Sequence, residues 1–137
     1  MRKVLQKIEP FIGDHHLLSL ATMGEALWCC SLFYAYDLEN IAFIVATDPD
    51  TLHGENVIKS SSVAGTIALE TKMVGKIQGI QFSGEMTRYA EGEALYFKVF
   101  PFARIMNPIL WKIRVDEIKM TDNTLGFGKK LTWKREF

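Results

Sequence analysis

Between residues 17 and 134 the chain breaks into short runs rich in β-branched and aromatic residues, each bounded by turn formers. This punctuation constrains the fold more than any other feature. "HLLSLAT" and "ALWCCSLFYAY" are separated by "MGE", where Gly24 suits a tight, exposed hairpin that tolerates change. "DLEN" then leads into "IAFIVAT". "VAGTIALE" and the long "IQGIQFSGEMTRY" follow, the latter interrupted by Gly79 and Gly84, where a bulge or a close backbone approach bends the sheet. "LWKIRVDEIKMTDN" alternates apolar and polar residues, and "KLTWKRE" closes the series. Helical signals are few. Val4, Leu5, Ile8, Phe11 and Ile12 define an amphipathic opening helix that ends at Gly13 and tolerates Pro10 near its last turn. "EGEALYFKVF" is helical by composition and stops at Pro101. Many short strands with helices at the edges point to a small, closed or nearly closed antiparallel barrel.

Charge narrows the partners. Sixteen basic and sixteen acidic residues give a net charge of zero, which offers a phosphate backbone or an anionic membrane surface no electrostatic attraction, so nucleic acid and membrane are not expected. No apolar run approaches the length of a membrane span, and the N-terminal stretch lacks the apolar block of a signal peptide. Cys29 and Cys30 are adjacent on a strand, point to opposite faces and cannot readily bridge, which suits a reducing cytoplasm. Hydrophobic residues make up 48% of the chain with no net charge to keep copies apart, so a homodimer is expected.

Familiar catalytic signatures are absent: there is no GxGxxG, no phosphate-binding GKS or GKT, no CxxC, no HExxH and no nucleophile elbow. His15 and His16 sit together at a strand start and read as capping or surface residues. Any reactive atoms therefore arrive with a cofactor. The segment "ATDPDTLHGENV" runs from a strand through Pro49 into a helix whose N-cap is Asp50 or Thr51. Its first-turn amides, the Thr51 hydroxyl and the His53 ring form a candidate anion site. A plain helix cap with a surface histidine explains the same letters, and Asp48 and Asp50 stand close to the proposed anion.

The order of the opening helix, "LATMGEALWCCSLFYAYD", "IAFIVATDPDTLHGENVIKSSSVAGTI", "IQGIQFSGEM" and "TDNTLGFGKKLTWKR" resembles the pyridoxamine 5′-phosphate oxidase-like superfamily of FMN-binding split barrels. Within it the chain is most similar to the bacterial YhbP-type proteins, with "TDNTLGFGKK" the most specific match. The resemblance covers nearly all of residues 1–137 as one domain. It implies a mainly β, six-stranded antiparallel split β-barrel with flanking helices, a homodimer, and FMN in each of two clefts at the subunit interface. It places Thr51, His53 and Asn56 where the superfamily has Ser, Lys and Asn opening a helix against the FMN phosphate; histidine replaces a permanent cation by a conditional one. It also implies flavin contacts from Cys30, Ser31 and Leu32 on the second strand and from Gln78 and Gln81 on the fifth. Lys129, Lys130 and Trp133 are implied to approach from the second subunit. The alternatives are a solvent-facing amide for either glutamine, an edge-strand charge for either lysine and a core anchor for Trp133. Pyridoxamine phosphate oxidases carry a C-terminal Arg and His that grip substrate phosphate, and "TLGFGKKLTWKREF" lacks that pattern, so that reaction is not assigned. An FMN-dependent oxidoreductase is the first expectation; a flavin- or haem-binding module without turnover, or a cofactor-free dimer of the same fold, are the others.

Overall fold

In the computed structural model, which describes residues 2–137, every strand-like run pairs into one antiparallel sheet of order β3-β2-β1-β4-β5-β6-β7. The strands are β1 (Leu17–Met23), β2 (Leu27–Asp37), β3 (Ala42–Ala46), β4 (Ser62–Ala68), β5 (Gln78–Arg88), β6 (Leu110–Asp122) and β7 (Lys130–Lys134). A further pairing of β3 with β6 joins the two ends of the six-strand series, which closes it into a barrel and leaves β7 as an added edge strand on β6.

Alternation decides what lies inside. On β5, Ile80, Phe82, Gly84 and Met86 point inward and the intervening residues outward, as period-two side chains must. Leu18 and Leu20 of β1, Phe43 and Val45 of β3, Ile67 of β4 and Ile113, Val115 and Ile118 of β6 complete the interior. Helix α1 (Arg2–Asp14) contributes Leu5, Ile8, Phe11 and Ile12 to the same core. It runs one residue past the expected stop, through Gly13, with Pro10 inside it. It is tied down where Tyr34 donates its hydroxyl to the Ile12 carbonyl at 2.5 Å and where the His15 Nδ1 meets the Phe11 carbonyl at 2.8 Å, which gives His15 its expected capping role.

Strand β3 is apolar on consecutive residues because both of its faces are covered. Phe43 and Val45 face the barrel interior, while Ile44 packs outward with Ala35 and Leu110 against Tyr96 and Phe97 of helix α3 (Glu93–Val99). Helix α2 (Leu52–Lys59) lies beside the β1–β2 hairpin.

The two glycines singled out by the sequence behave differently from expectation at one position. The sheet does shift register between Ser83 and Gly84, with Asp116 of β6 as the extra residue, and the Gly84 backbone lies so close to the Arg114 carbonyl that any Cβ would collide with it. Gly24, however, is not a tolerant hairpin tip. A Cβ there would strike the Asn56 side-chain oxygen and come within 3.0 Å of the Asn56 Cα, because α2 is docked onto the turn.

Candidate functional site

The end of β3 is fixed with unusual completeness. The Thr47 amide donates to the Ile109 carbonyl at 3.0 Å, its carbonyl accepts the Trp111 indole N–H at 2.9 Å, and its hydroxyl pairs with His53 Nε2 at 2.5 Å. The chain then turns at Pro49 and enters α2 with Thr51 as N-cap. The Thr51 hydroxyl accepts the Gly54 amide at 3.0 Å and donates to the Asp48 carbonyl at 2.8 Å.

Beside this turn lies a cleft of about 570 Å³, within the range usual for small-molecule sites. Ala46, Thr47, Asp48 and Thr51 form one wall. Phe33, on the outer side of β2, forms the floor at one end. Tyr96 and Phe100, with Phe102, Ala103 and Met106 of the following 3₁₀ segment (Pro101–Met106), form the opposite wall. The aromatic rings are in mutual contact: Phe33 and Phe100 have centroids 5.6 Å apart and Tyr96 and Phe100 5.0 Å. Phe102 is 86% exposed, so the cleft is edged on that side by an apolar ring that faces solvent.

Electrostatics follow from burial. Partial burial pushes the His53 imidazole below its ordinary pKa, so the ring is neutral near pH 7. Cys30 faces the barrel interior and burial pushes its thiol up to about 11, which leaves it protonated and unreactive. Cys29 lies on the outer face of β2 and is exposed; neither cysteine is bridged. Among the described residues no group of three or more His, Cys, Asp or Glu side chains is placed to hold a metal ion, and no helix is long and apolar enough to cross a membrane.

Of the residues singled out from sequence, the structure brings Thr51 to the cleft and His53 to its border through Thr47. Asn56 is only 3% exposed and turns away: its amide nitrogen donates to the Thr22 hydroxyl and the Ala26 carbonyl, both at 3.1 Å, binding α2 to the hairpin. Cys30 and Leu32 pack toward the barrel core, while Ser31 is exposed on the outer face. Gln78 donates to Asp122 at 3.3 Å. Gln81 lines a separate concavity of about 510 Å³ on the outer sheet face, with Ala64, Thr66 and Ser83. Lys129 is exposed, Lys130 reaches the Thr121 hydroxyl at 3.0 Å, and Trp133 is a buried core anchor under the Arg135 guanidinium. The cleft residues that sequence reasoning did not single out are Thr47, Tyr96 and Phe100, while Phe33 ends the second-strand run "CCSLF" that the resemblance sets against the flavin. The signal for Tyr96 and Phe100 was the density of rings in "YFKVFPF" immediately after a helix start, more rings than one short amphipathic helix needs to anchor itself.

No protein-family model matches the chain. It is 47% identical over 137 residues to the UPF0306 protein of Cronobacter sakazakii, covering 96% of this chain and 95% of that protein. The chain belongs to the UPF0306 family. Another UPF0306 relative, YhbP of Salmonella arizonae, is 40% identical over 138 residues, covering 96% of this chain and 94% of that one. Among solved structures, the haem-binding protein from Mycobacterium smegmatis superposes with a TM-score of 0.74 at 15% identity, over 90% of this chain and 54% of that chain. A NimC/NimA family protein from Clostridium acetobutylicum gives 0.68 at 14% identity, over 96% and 93%. HutZ, the haem storage protein of Vibrio cholerae, gives 0.62 at 12% identity, over 81% and 89%. At these identities the likeness establishes the fold alone: this UPF0306 chain is a six-stranded antiparallel split barrel with β7 added at its edge.

Proposed function

We propose that the protein binds a flavin in the aromatic cleft and acts as a flavin-dependent oxidoreductase. One observation carries this reading: rings from β2, α3 and the 3₁₀ segment converge on a single slot whose far end is polar, with the Thr47 and Thr51 hydroxyls. Flat apolar walls with a few polar groups at one end suit a planar ring system bearing a polar tail. A bound flavin supplies hydride chemistry, so the protein's own groups are needed to orient, bury and hydrogen-bond rather than to act as acid or base. Phe33 and Phe100 would hold the ring. Ala46 and Ala103, small residues on opposite walls, leave it room. The ring end of a flavin fits these residues; the phosphate end of FMN does not, because the lining holds no basic side chain.

We further propose that two copies pair through the outer sheet face. The pairs Leu17–Phe33 and Met23–Leu27 are exposed there at the two ends of the β1–β2 ladder, with the small pairs Ser19–Ser31 and Ala21–Cys29 between them. Phe33 belongs to both this face and the cleft, so a second copy would help enclose the ligand. Sedimentation of the wild type should show a two-subunit species at micromolar concentration, and Ala21→Arg should shift it to a monomer; a wild-type monomer at that concentration would end the pairing proposal.

Haem is the second reading, favoured by His16, whose ring stacks on Phe33 at 5.8 Å on the outer side of the cleft floor. It is the weaker one because the lining contains no histidine or cysteine, and burial raises the pKa of the Tyr96 phenol, which keeps it in the protonated form that ligates iron poorly. Titration with flavin, followed by quenching of flavin fluorescence, tests the first reading, and a Soret band on adding haemin tests the second. Reduction of the bound flavin by a nicotinamide nucleotide and its reoxidation by air test the oxidoreductase activity. Absence of quenching by any flavin at millimolar concentration would remove the first reading.

A further inference from the structure

We infer that the cleft accepts the flavin ring but rejects a terminal phosphate, so that its ligand is an uncharged flavin of the riboflavin class rather than a nucleotide. This rests on the flavin reading above and deepens it.

The inference comes from an inventory of charge and hydrogen-bonding capacity at the polar end. None of the lining residues is basic, and the one charged side chain among them is the Asp48 carboxylate. Asp50 stands two positions further on, so the approach to α2 carries two acidic groups where a phosphate would bring more negative charge. Donors are equally scarce: the lining reaches Thr51 but neither Leu52 nor His53, so the first-turn amides of α2 belong to residues outside the cleft wall. The Thr51 hydroxyl gives its proton to the Asp48 carbonyl and receives the Gly54 amide, so turning it to a phosphate would uncap α2. The Thr47 hydroxyl and His53 Nε2 are committed to each other. Of the cations nearby in the chain, Arg104 lays its guanidinium over the Phe97 ring at 4.7 Å, Lys59 at the far end of α2 pairs with Glu25 at 2.7 Å, and Lys98, exposed between Tyr96 and Phe100, is not among the lining residues. An uncharged ribityl chain needs none of these cations. Its hydroxyls can donate to the exposed Asp48 carboxylate, which a phosphate cannot do once ionised.

The test is a set of titrations of the full-length protein with riboflavin and with FMN, each followed by fluorescence quenching at low and at physiological salt. Riboflavin should bind at least tenfold more tightly than FMN, with the gap narrowing as salt screens Asp48 and Asp50. Asp48→Asn should narrow the gap from both sides, improving FMN binding several-fold and weakening riboflavin, whose ribityl hydroxyls lose a charged acceptor, while the fold is kept because the structural hydrogen bond at this position is made by the main-chain carbonyl. Phe100→Ala should weaken both ligands alike, which locates them in the cleft. Equal affinities, or tighter binding of FMN, would overturn the inference and leave the flavin reading standing. Quenching by neither ligand would overturn the flavin reading, and the inference with it.

Discussion

Asn56→Ala removes the side chain that joins α2 to the β1–β2 hairpin, and its cost can be worked from the contacts. Two hydrogen bonds from the Asn56 amide are lost, to the Thr22 hydroxyl and the Ala26 carbonyl. Each contributes about 0.5–1.5 kcal/mol net, and an acceptor left buried without its donor adds about 1–3 kcal/mol. Thr22 is 2% exposed, so water cannot readily replace the amide there, although the Thr22 hydroxyl keeps its own long bond to the Trp28 carbonyl. The sum is roughly 2–6 kcal/mol, with the bond that Thr22 keeps favouring the lower half, equivalent to a fall in Tm of about 3–5 °C per kcal/mol for a domain of this size. Urea denaturation should show the loss as a lower midpoint with an unchanged slope. A double-mutant cycle with Thr22→Val should return a coupling on the order of 1 kcal/mol, because the two side chains share one bond. A loss below about 0.5 kcal/mol, or strict additivity with Thr22→Val, would refute the reasoning. So would a variant of unchanged stability that binds flavin poorly, since that would make Asn56 a ligand contact.

Three further outcomes follow from the same geometry. Gly84→Ala should destabilise more than Gly24→Ala, because a Cβ at Gly84 meets the fixed Arg114 carbonyl whereas one at Gly24 meets mainly the Asn56 side chain; denaturant midpoints in the reverse order would contradict this. Gly24→Ala should still be measurably destabilising, and a neutral result would show that the hairpin can lift off α2 freely. His53 is held below its ordinary pKa, so the unfolded chain binds its proton first as the pH falls. Stability should therefore be fully present above about 6.5 and decline as the pH drops from there through the lower folded value; His53→Gln should flatten that part of the profile, and an unchanged profile would refute the assignment.

The barrel was largely legible because its signals are local. Alternation on "LWKIRVDEIKMTD" and the unbroken apolar run "AFIVA" report one covered face and two respectively, and both strands occur where the pattern put them. Gly84 announced the bulge for the same reason, since only a residue without a side chain fits so close to another backbone. The candidate site was less legible because its parts meet only in three dimensions. Asn56 finds its partners 34 and 30 positions back, in a hairpin that nothing in "HGEN" points to. Phe33 reads as one more strand hydrophobe until Phe100 arrives beside it. Trp133 shows the converse: its alternating neighbours left open which way the indole pointed, and the α1–barrel core took it in.

The β3–β6 ladder sets a temporal order as well as a shape. Every other ladder except β1–β4 joins consecutive strands, so these pairings form with modest loss of chain freedom. Pairing Ala42 with Arg114 instead encloses roughly 70 residues, and that entropy must be given up before any contact across the seam offsets it. The seam is therefore the ladder with the largest closure cost, and the expected order is two meanders first and the seam last. Thr47 sits just beyond the last residue of that seam, so the wall of the cleft takes its final position only when the barrel shuts.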